Sequence, residues 1–240
     1  MEEQSLFVLS ENYRNLPDTM CEERTEAEKI YSETKDWKKA DEFCKKILLK
    51  IKADKLLNSC NIGERFKQRT FETFKTYDKK TEIAKNNALA YVAEIDEKLK
   101  NCVNLFIIGN GRVGTGKTHL ACAIAQSLMK DKGIPCKFIN SANLIIELKD
   151  SFDIKPFVDV EVLIIDDLGK EKGTEWVCEQ FYAILNNRYE NMRPTIITFE
   201  KGLNSLETNY GDKSKAIISR LTENFNLIVL DGEDFRMRRD

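Results

Sequence analysis

The chain has 240 residues, 42% of them hydrophobic and 32% charged, with a formal net charge of −2. This composition supplies a packed core and excludes a disordered chain. No apolar run approaches the roughly 20 residues of a membrane-crossing helix, and no basic stretch followed by an apolar one resembles a secretory signal. A cytoplasmic protein without membrane contact is expected. Seven cysteines, at positions 21, 44, 60, 102, 122, 136 and 178, are odd in number and scattered. They are expected to be reduced and mostly buried, and the spacing of Cys21, Cys44 and Cys60 offers no support for a zinc site.

In chain order, residues 1–34 are acidic, and from Lys35 to Lys80 lysines and arginines outnumber carboxylates. The basic stretch could face nucleic acid or an acidic protein, or be a solvated helix face. Trp37, Ala40, Cys44, Ile47, Leu48 and Ile51 recur at three- and four-residue steps, which predicts an amphipathic helix. Residues 1–60 are therefore expected to be a small helical module that binds a partner. Residues 61–101 follow as a linker and helix leading into a core at 102–240. In the linker, Phe66, Phe71 and Phe74 punctuate a basic stretch and either line a base pocket or plug a core. Thr81 is the expected N-cap of a helix carrying Ala84, Ala88, Val92, Ile95 and Leu99.

Strands are predicted near Leu105–Ile108, at CKFIN, EVLIIDDLG, PTIITF and NLIVL. Helices lie between them, one of them capped by Ser141. Alternation of this kind specifies a parallel sheet flanked by helices, with right-handed crossovers.

The first strand runs into LFIIGNGRVGTGKTHLA, where Gly111 to Thr118 places two glycines, then Lys and Thr, at phosphate-loop spacing. The glycines let successive N–H groups converge, and the following helix adds the positive end of its dipole. A nucleoside triphosphate is the expected ligand, held by Gly111, Arg112, Val113, Gly114, Thr115, Gly116, Lys117, Thr118 and His119. Lys117 would reach the β- and γ-phosphates and Thr118 would complete the shell of a Mg²⁺. At the end of a buried apolar run, Asp166 is expected to hold that Mg²⁺ through water. Asp167 would orient or deprotonate the attacking water.

Together with FINSANLIIELKDSF, LIIDDLGKEKGTEWVCEQFYAILNNRYENMRPTIIT and KAIISRLTE, the phosphate loop resembles the AAA+ ATPases of the DnaC helicase-loader type, the DnaC/IstB-like group. The likeness spans roughly Ile62 to Arg239. It implies a P-loop AAA+ core with a five-stranded parallel sheet, preceded by the small helical N-terminal module; with so little chain after the last strand, no C-terminal lid domain is expected. It further implies an assembly- or DNA-dependent ATPase in DNA replication that binds a hexameric helicase of the DnaB type, loads it on single-stranded DNA, and self-associates into a ring or spiral. A transposition-helper ATPase and an ATP-binding adaptor with little hydrolysis are the alternatives. By position, Arg220 matches the arginine finger that reaches a neighbouring subunit's nucleotide. Where these loaders generally carry an asparagine after the PTIITF strand, this chain has Glu200. A carboxylate there must be protonated, paired or turned away from phosphate. The expectation is slow hydrolysis or a sensor role passed to Thr198. Arg236 could stand in for a lid arginine, and Lys149, Lys170, Lys172, Lys213 and Lys215 are candidate DNA contacts.

Overall fold

A computed structural model describes residues 10–60, 62–109, 114–210, 213–231 and 234. The chain divides into two compact units, 1–56 and 57–240, inside a helix rather than at the break after Cys60.

The first unit is helical: α1 (Glu11–Arg14), α2 (Cys21–Thr34) and α3 (Trp37–Ser59), the last running past the unit boundary. Tyr13, Leu16, Ala27, Tyr31, Ala40 and Cys44 are buried together, with Trp37, Ile47 and Leu48 partly buried against them. The three- and four-residue stripe of α3 thus finds its core, while its lysines stay outside. Lys35, at φ 56° in the left-handed region, ends α2 with its N–H on Tyr31 O, and Asp36 Oδ1 accepts from Lys38 N–H as α3 starts.

The second unit begins with α4 (Glu64–Lys67), α5 (Lys79–Ala93) and α6 (Ile95–Lys100). These belong to the core unit rather than standing apart as a linker. Ala84, Ala88, Tyr91 and Val92 are buried, and a helix with that much apolar surface must be covered. Thr81 is not the N-cap of α5. Asp78 is, accepting from Thr81 N–H at 2.7 Å, and Thr81 closes the capping box from three residues inside the helix.

β1 (Asn104–Ile108), α7 (Lys117–Asp131), β2 (Cys136–Asn140), α8 (Ser141–Ser151), α9 (Lys155–Val158), β3 (Val162–Asp166), α10 (Glu175–Glu190), β4 (Thr195–Phe199), α11 (Asn204–Tyr210), α12 (Lys213–Leu221) and β5 (Phe225–Val229) complete the unit. All pairings are parallel, in the order β2-β3-β4-β1-β5. Every residue of β3 and β4 is buried, as expected for central strands covered on both faces. Asn140 rather than Ser141 caps α8, because the Ser141 hydroxyl is committed elsewhere, on Asp167 O at 2.9 Å. The order has one consequence for function. β4 lies between the strand that feeds the glycine loop and the strand that ends in paired aspartates, so whatever leaves β4 is delivered between the two. Ligands of open parallel sheets bind at such carboxyl ends.

Candidate functional site

Gly114 and Gly116 have φ values of 74° and 96°, a conformation that side chains resist, and α7 begins at the next residue, Lys117. A Cβ at Gly116 would stand 3.0 Å from the Phe74 ring, and one at Gly114 would fall on the Asp234 carboxylate. The loop is therefore tight against its surroundings. Thr115 Oγ1 is buried with no hydrogen-bond partner among the described residues, an acceptor and donor left for a ligand.

Asp166 is 5% exposed at the end of β3. Thr118 Oγ1 donates to its two oxygens at 3.1 and 3.0 Å, and Thr198 Oγ1 donates to Oδ1 at 2.7 Å. The same Thr198 oxygen accepts from Asp167 N–H at 2.8 Å. Burial raises the Asp166 carboxyl above its ordinary value, and the charge of Asp167 adds to the rise. Hydrogen bonds from Thr198 and Thr118 and the charge of Lys117 pull it back. Burial also pushes the Lys117 ammonium down, with Asp167, Glu200 and Asp166 favouring its charge and Lys170 opposing it. A desolvated carboxylate beside a hydroxyl is an all-oxygen pair whose charge a hard cation would stabilise. It fits a Mg²⁺ that takes its remaining ligands from water and nucleotide. Among the described residues no group of three or more His, Cys, Asp or Glu stands together as a metal cage.

The loop bearing the aspartates is clamped from three sides. Ser141 on α8 holds Asp167 O, Thr198 on β4 holds Asp167 N–H, and Glu171 accepts from Gly169 N–H at 3.1 Å and from the Tyr210 hydroxyl. Asp167 itself sits at φ 58°. Thr198, fully buried, is engaged with both aspartates. Its hydroxyl holds the Asp166 carboxylate and the Asp167 backbone. Glu200 at the end of β4 is paired: Lys170 Nζ is 3.1 Å from Glu200 Oε2 and 3.0 Å from Asp167 Oδ2. Of the three ways to keep a carboxylate near phosphate, the chain uses pairing. Lys170 sets its ammonium on these two carboxylates while its side chain stays partly exposed, and Lys172 is exposed as well.

Gly114 to His119, Asp166, Asp167 and Lys170 line a cavity of about 820 Å³ whose other wall is α4 and the stretch after it: Arg65, Phe66, Gln68, Arg69, Thr73, Phe74, Lys75 and Tyr77. The volume lies within the ~300–1,000 Å³ of small-ligand sites. Phe71 is buried outside the lining, while Phe74 is both buried and part of the wall, so the aromatics divide between core and pocket. The Arg69 guanidinium lies 4.7 Å over the Phe66 ring. His119 Nε2 is 3.0 Å from Thr70 O and 3.2 Å from Thr73 Oγ1, and its ring meets Phe74 edge-on at 5.1 Å. Since a carbonyl only accepts, Nε2 carries the proton, and burial holds the imidazole below its ordinary pKa. His119 therefore fastens this wall to α7. Gln126, donating to Arg69 O at 2.9 Å, does the same one face along.

Arg220 stands at the other end of the sheet. Its Nε donates to Asn186 Oδ1 at 2.5 Å, Nη1 to Ala216 O and Nη2 to Tyr182 OH, with the Tyr182 ring 5.1 Å from the guanidinium. It borders a small cavity with Asn104 and Thr195, the first residues of β1 and β4. Strands of this length span about 16 Å at ~3.3 Å per residue, so Arg220 is out of reach of the chain's own phosphate loop. Gly111, Arg112, Val113, Arg236 and the Lys213 side chain lie outside the described residues.

The pairing of Lys170 with Glu200 and the wall pinned by His119 escaped sequence reasoning. The first needs the strand order; the second needs the contact between residues 70–74 and α7.

A left-handed glycine loop at a helix N-terminus, facing a buried aspartate on a parallel sheet of this order, defines a P-loop nucleotide-binding protein of the AAA+ type. Comparison with known families agrees: residues 41–240 match the IstB-like ATP binding protein family, and the chain belongs to that family. The phage-like element PBSX protein XkdC of Bacillus subtilis (strain 168) is 33% identical over 167 residues, covering 65% of this chain and 62% of that protein. An uncharacterized protein of the same organism, YqaM, is 33% identical and 51% covered, so the chain spans between half and two thirds of these two relatives. The crystal structure of the DnaC helicase loader superposes with a TM-score of 0.63 at 26% identity, over 70% of this chain and all of that one. The DnaI crystal structure gives 0.60 at 27% identity, over 72% and 94%.

Proposed function

We propose that the chain is an ATP-switched helicase loader: an ATPase that binds a hexameric replicative helicase of the DnaB type and places it on single-stranded DNA. The observation that carries the nucleotide part is the Thr118 hydroxyl on the buried Asp166 carboxylate beside the Gly114–Lys117 loop. The likeness to the DnaC loader structure supports the helicase part.

The reaction is hydrolysis of ATP to ADP and phosphate. Lys117 sets its charge against the β- and γ-phosphates, and the N–H groups at the start of α7 add theirs. Mg²⁺, brought with the nucleotide and held by Thr118 and Asp166, supplies further charge neutralisation at the phosphates. Asp167, clamped by Thr198 and Ser141, orients the attacking water and accepts its proton. Phe66, Arg69 and Phe74 take the base end of the cavity. Arg220, out of reach of its own site, serves a neighbouring subunit in a ring or spiral, so turnover depends on assembly. The N-terminal helices grip the helicase, and exposed lysines such as Lys172 meet DNA phosphates.

Lys117→Ala should lower ATP affinity about 100-fold, the loss of roughly 3 kcal/mol of charge-assisted contact. Fluorescent-nucleotide titration measures this. Mixing the protein with a hexameric helicase in ATP and in ADP, and reading complex mass, tests the partner. A nucleotide-dependent complex supports loading. Stimulation of a transposase without helicase binding would replace it with the transposition-helper reading. The occupied Asp167 favours an adaptor with little hydrolysis in the isolated chain, and turnover measured with and without single-stranded DNA separates that case.

A further inference from the structure

Two cations and three carboxylates meet at the carboxyl ends of β3 and β4: Lys117, Lys170, Asp166, Asp167 and Glu200. Lys170 is the most exposed of the five. Its side chain is 43% exposed, whereas Asp167 and Glu200 are 24% and 25% exposed, and its ammonium bridges the two at 3.0 and 3.1 Å. It lines the same cavity as Gly114–Thr118. The frame around it is fixed, since Asp167 is clamped through both its N–H and its carbonyl and Glu171 is locked by Gly169 and Tyr210. An ammonium has three N–H donors on a flexible stem, and the carboxylates use two.

An added anion changes this balance. The terminal phosphate of ATP, seated on Lys117, would bring negative charge into the field that already couples Lys117 to Lys170, Asp167 and Glu200. The phosphate of ADP would stop short of it. A ligand shifts a two-position equilibrium only by its differential interaction with the two positions, and the γ-phosphate is the group that differs.

We propose that Lys170 is a γ-phosphate-sensing residue, parked between Asp167 and Glu200 in the absence of that phosphate and turned onto it when ATP is bound. Its departure uncovers Asp167 for the attacking water. Glu200 is then the parking partner, which gives a physical reason for a carboxylate where a neutral sensor would be repelled by nothing. Lys170 acts on the reaction by positioning and by unmasking Asp167. The inference rests on the reading of the cavity as an ATP site.

The test is the ratio of ATP to ADP affinity, measured with Mg²⁺ and a non-hydrolysable ATP analogue in the full chain, for wild type, Lys170→Ala and Glu200→Gln. Lys170→Ala should weaken the ATP analogue about tenfold, one charge-assisted contact of ~1.4 kcal/mol, and leave ADP within about twofold. Glu200→Gln should move the ratio the other way, several-fold toward ATP, because it frees the ammonium. A structural ion pair would move neither ratio, and that result overturns the proposal; so does an equal loss of ATP and ADP affinity in Lys170→Ala. If wild type binds neither nucleotide, the ATP reading itself falls. If wild type binds both and the variants keep its ratio, only the sensing role falls.

Discussion

The two ends of the sheet bury charge in opposite ways. At the amino ends, Arg188 on α10 is 1% exposed and has no carboxylate partner among the described residues. All five of its N–H donors are nonetheless taken: Nε by Thr195 Oγ1 at 3.0 Å, Nη1 by Phe157 O and Val160 O at 2.9 and 2.8 Å, Nη2 by Glu161 O and Pro194 O at 3.0 and 2.7 Å. Burial pushes the guanidinium down to about 9, with Arg193 adding to the shift. At the carboxyl ends, Asp166, Asp167 and Glu200 are held by hydroxyls and by a lysine ammonium, partners that can turn away. A charge saturated by fixed backbone carbonyls is part of the scaffold. A charge held by exchangeable groups is prepared for a ligand.

The largest effect should come from breaking the saturated end. Arg188→Ala leaves a buried hydroxyl and four carbonyls, two buried and two part-buried, without this donor and should cost about 3 kcal/mol or more, read from urea unfolding of the nucleotide-free chain. Lys, with three donors, should restore only part of it. Equal stability of wild type and variant would show that water takes over the carbonyls, and the contrast between the ends would collapse.

A smaller effect of opposite sign is expected at the other end. Because the folded Asp166 carboxyl is raised above its unfolded value, the native state binds more protons than the unfolded state between those two values. Stability therefore falls as pH rises through that window, and at neutral pH the charged group is a net burden. Asp166→Asn should raise the unfolding midpoint of the nucleotide-free chain at pH 7 and flatten its dependence on pH in the acidic range. It should also remove the stabilisation gained from ATP with Mg²⁺.

The smallest effect separates two arginines at one end. Arg220, half-exposed against Tyr182 and Asn186, should cost less than about 1 kcal/mol when changed to Ala, and nucleotide affinity of the isolated chain should hold. Turnover of the assembled protein should fall. Loss of stability on the scale of Arg188 would class it as scaffold instead.

Much of this was legible along the chain. The five strands follow from short apolar runs bounded by glycine, proline and asparagine, and Lys117, Thr118, Asp166 and Asp167 from local spacing. Helix starts were less legible. Thr81 and Ser141 are both cap-forming residue types, yet each lies inside its helix: Asp78 and Asn140 are the caps, while the Thr81 hydroxyl closes the capping box and the Ser141 hydroxyl holds Asp167 O. Phe66, Phe71 and Phe74 could not be sorted into pocket and core, since that depends on which of them meets Gly116 and His119. Lys170 read as a surface cation because charge in a sequence carries no direction.

By itself the sequence determined the class of fold and the chemical groups of the site that follow directly on β1 and β3. Hydrophobic periodicity, glycine placement and carboxylate spacing are local properties. Only the tertiary structure decided that β4 enters between β1 and β3. That insertion sets Thr198 on both aspartates and pairs Glu200 with Lys170. Strand order is settled by how helices and sheet faces pack together, a balance of contacts between residues far apart in the chain. No local pattern records it.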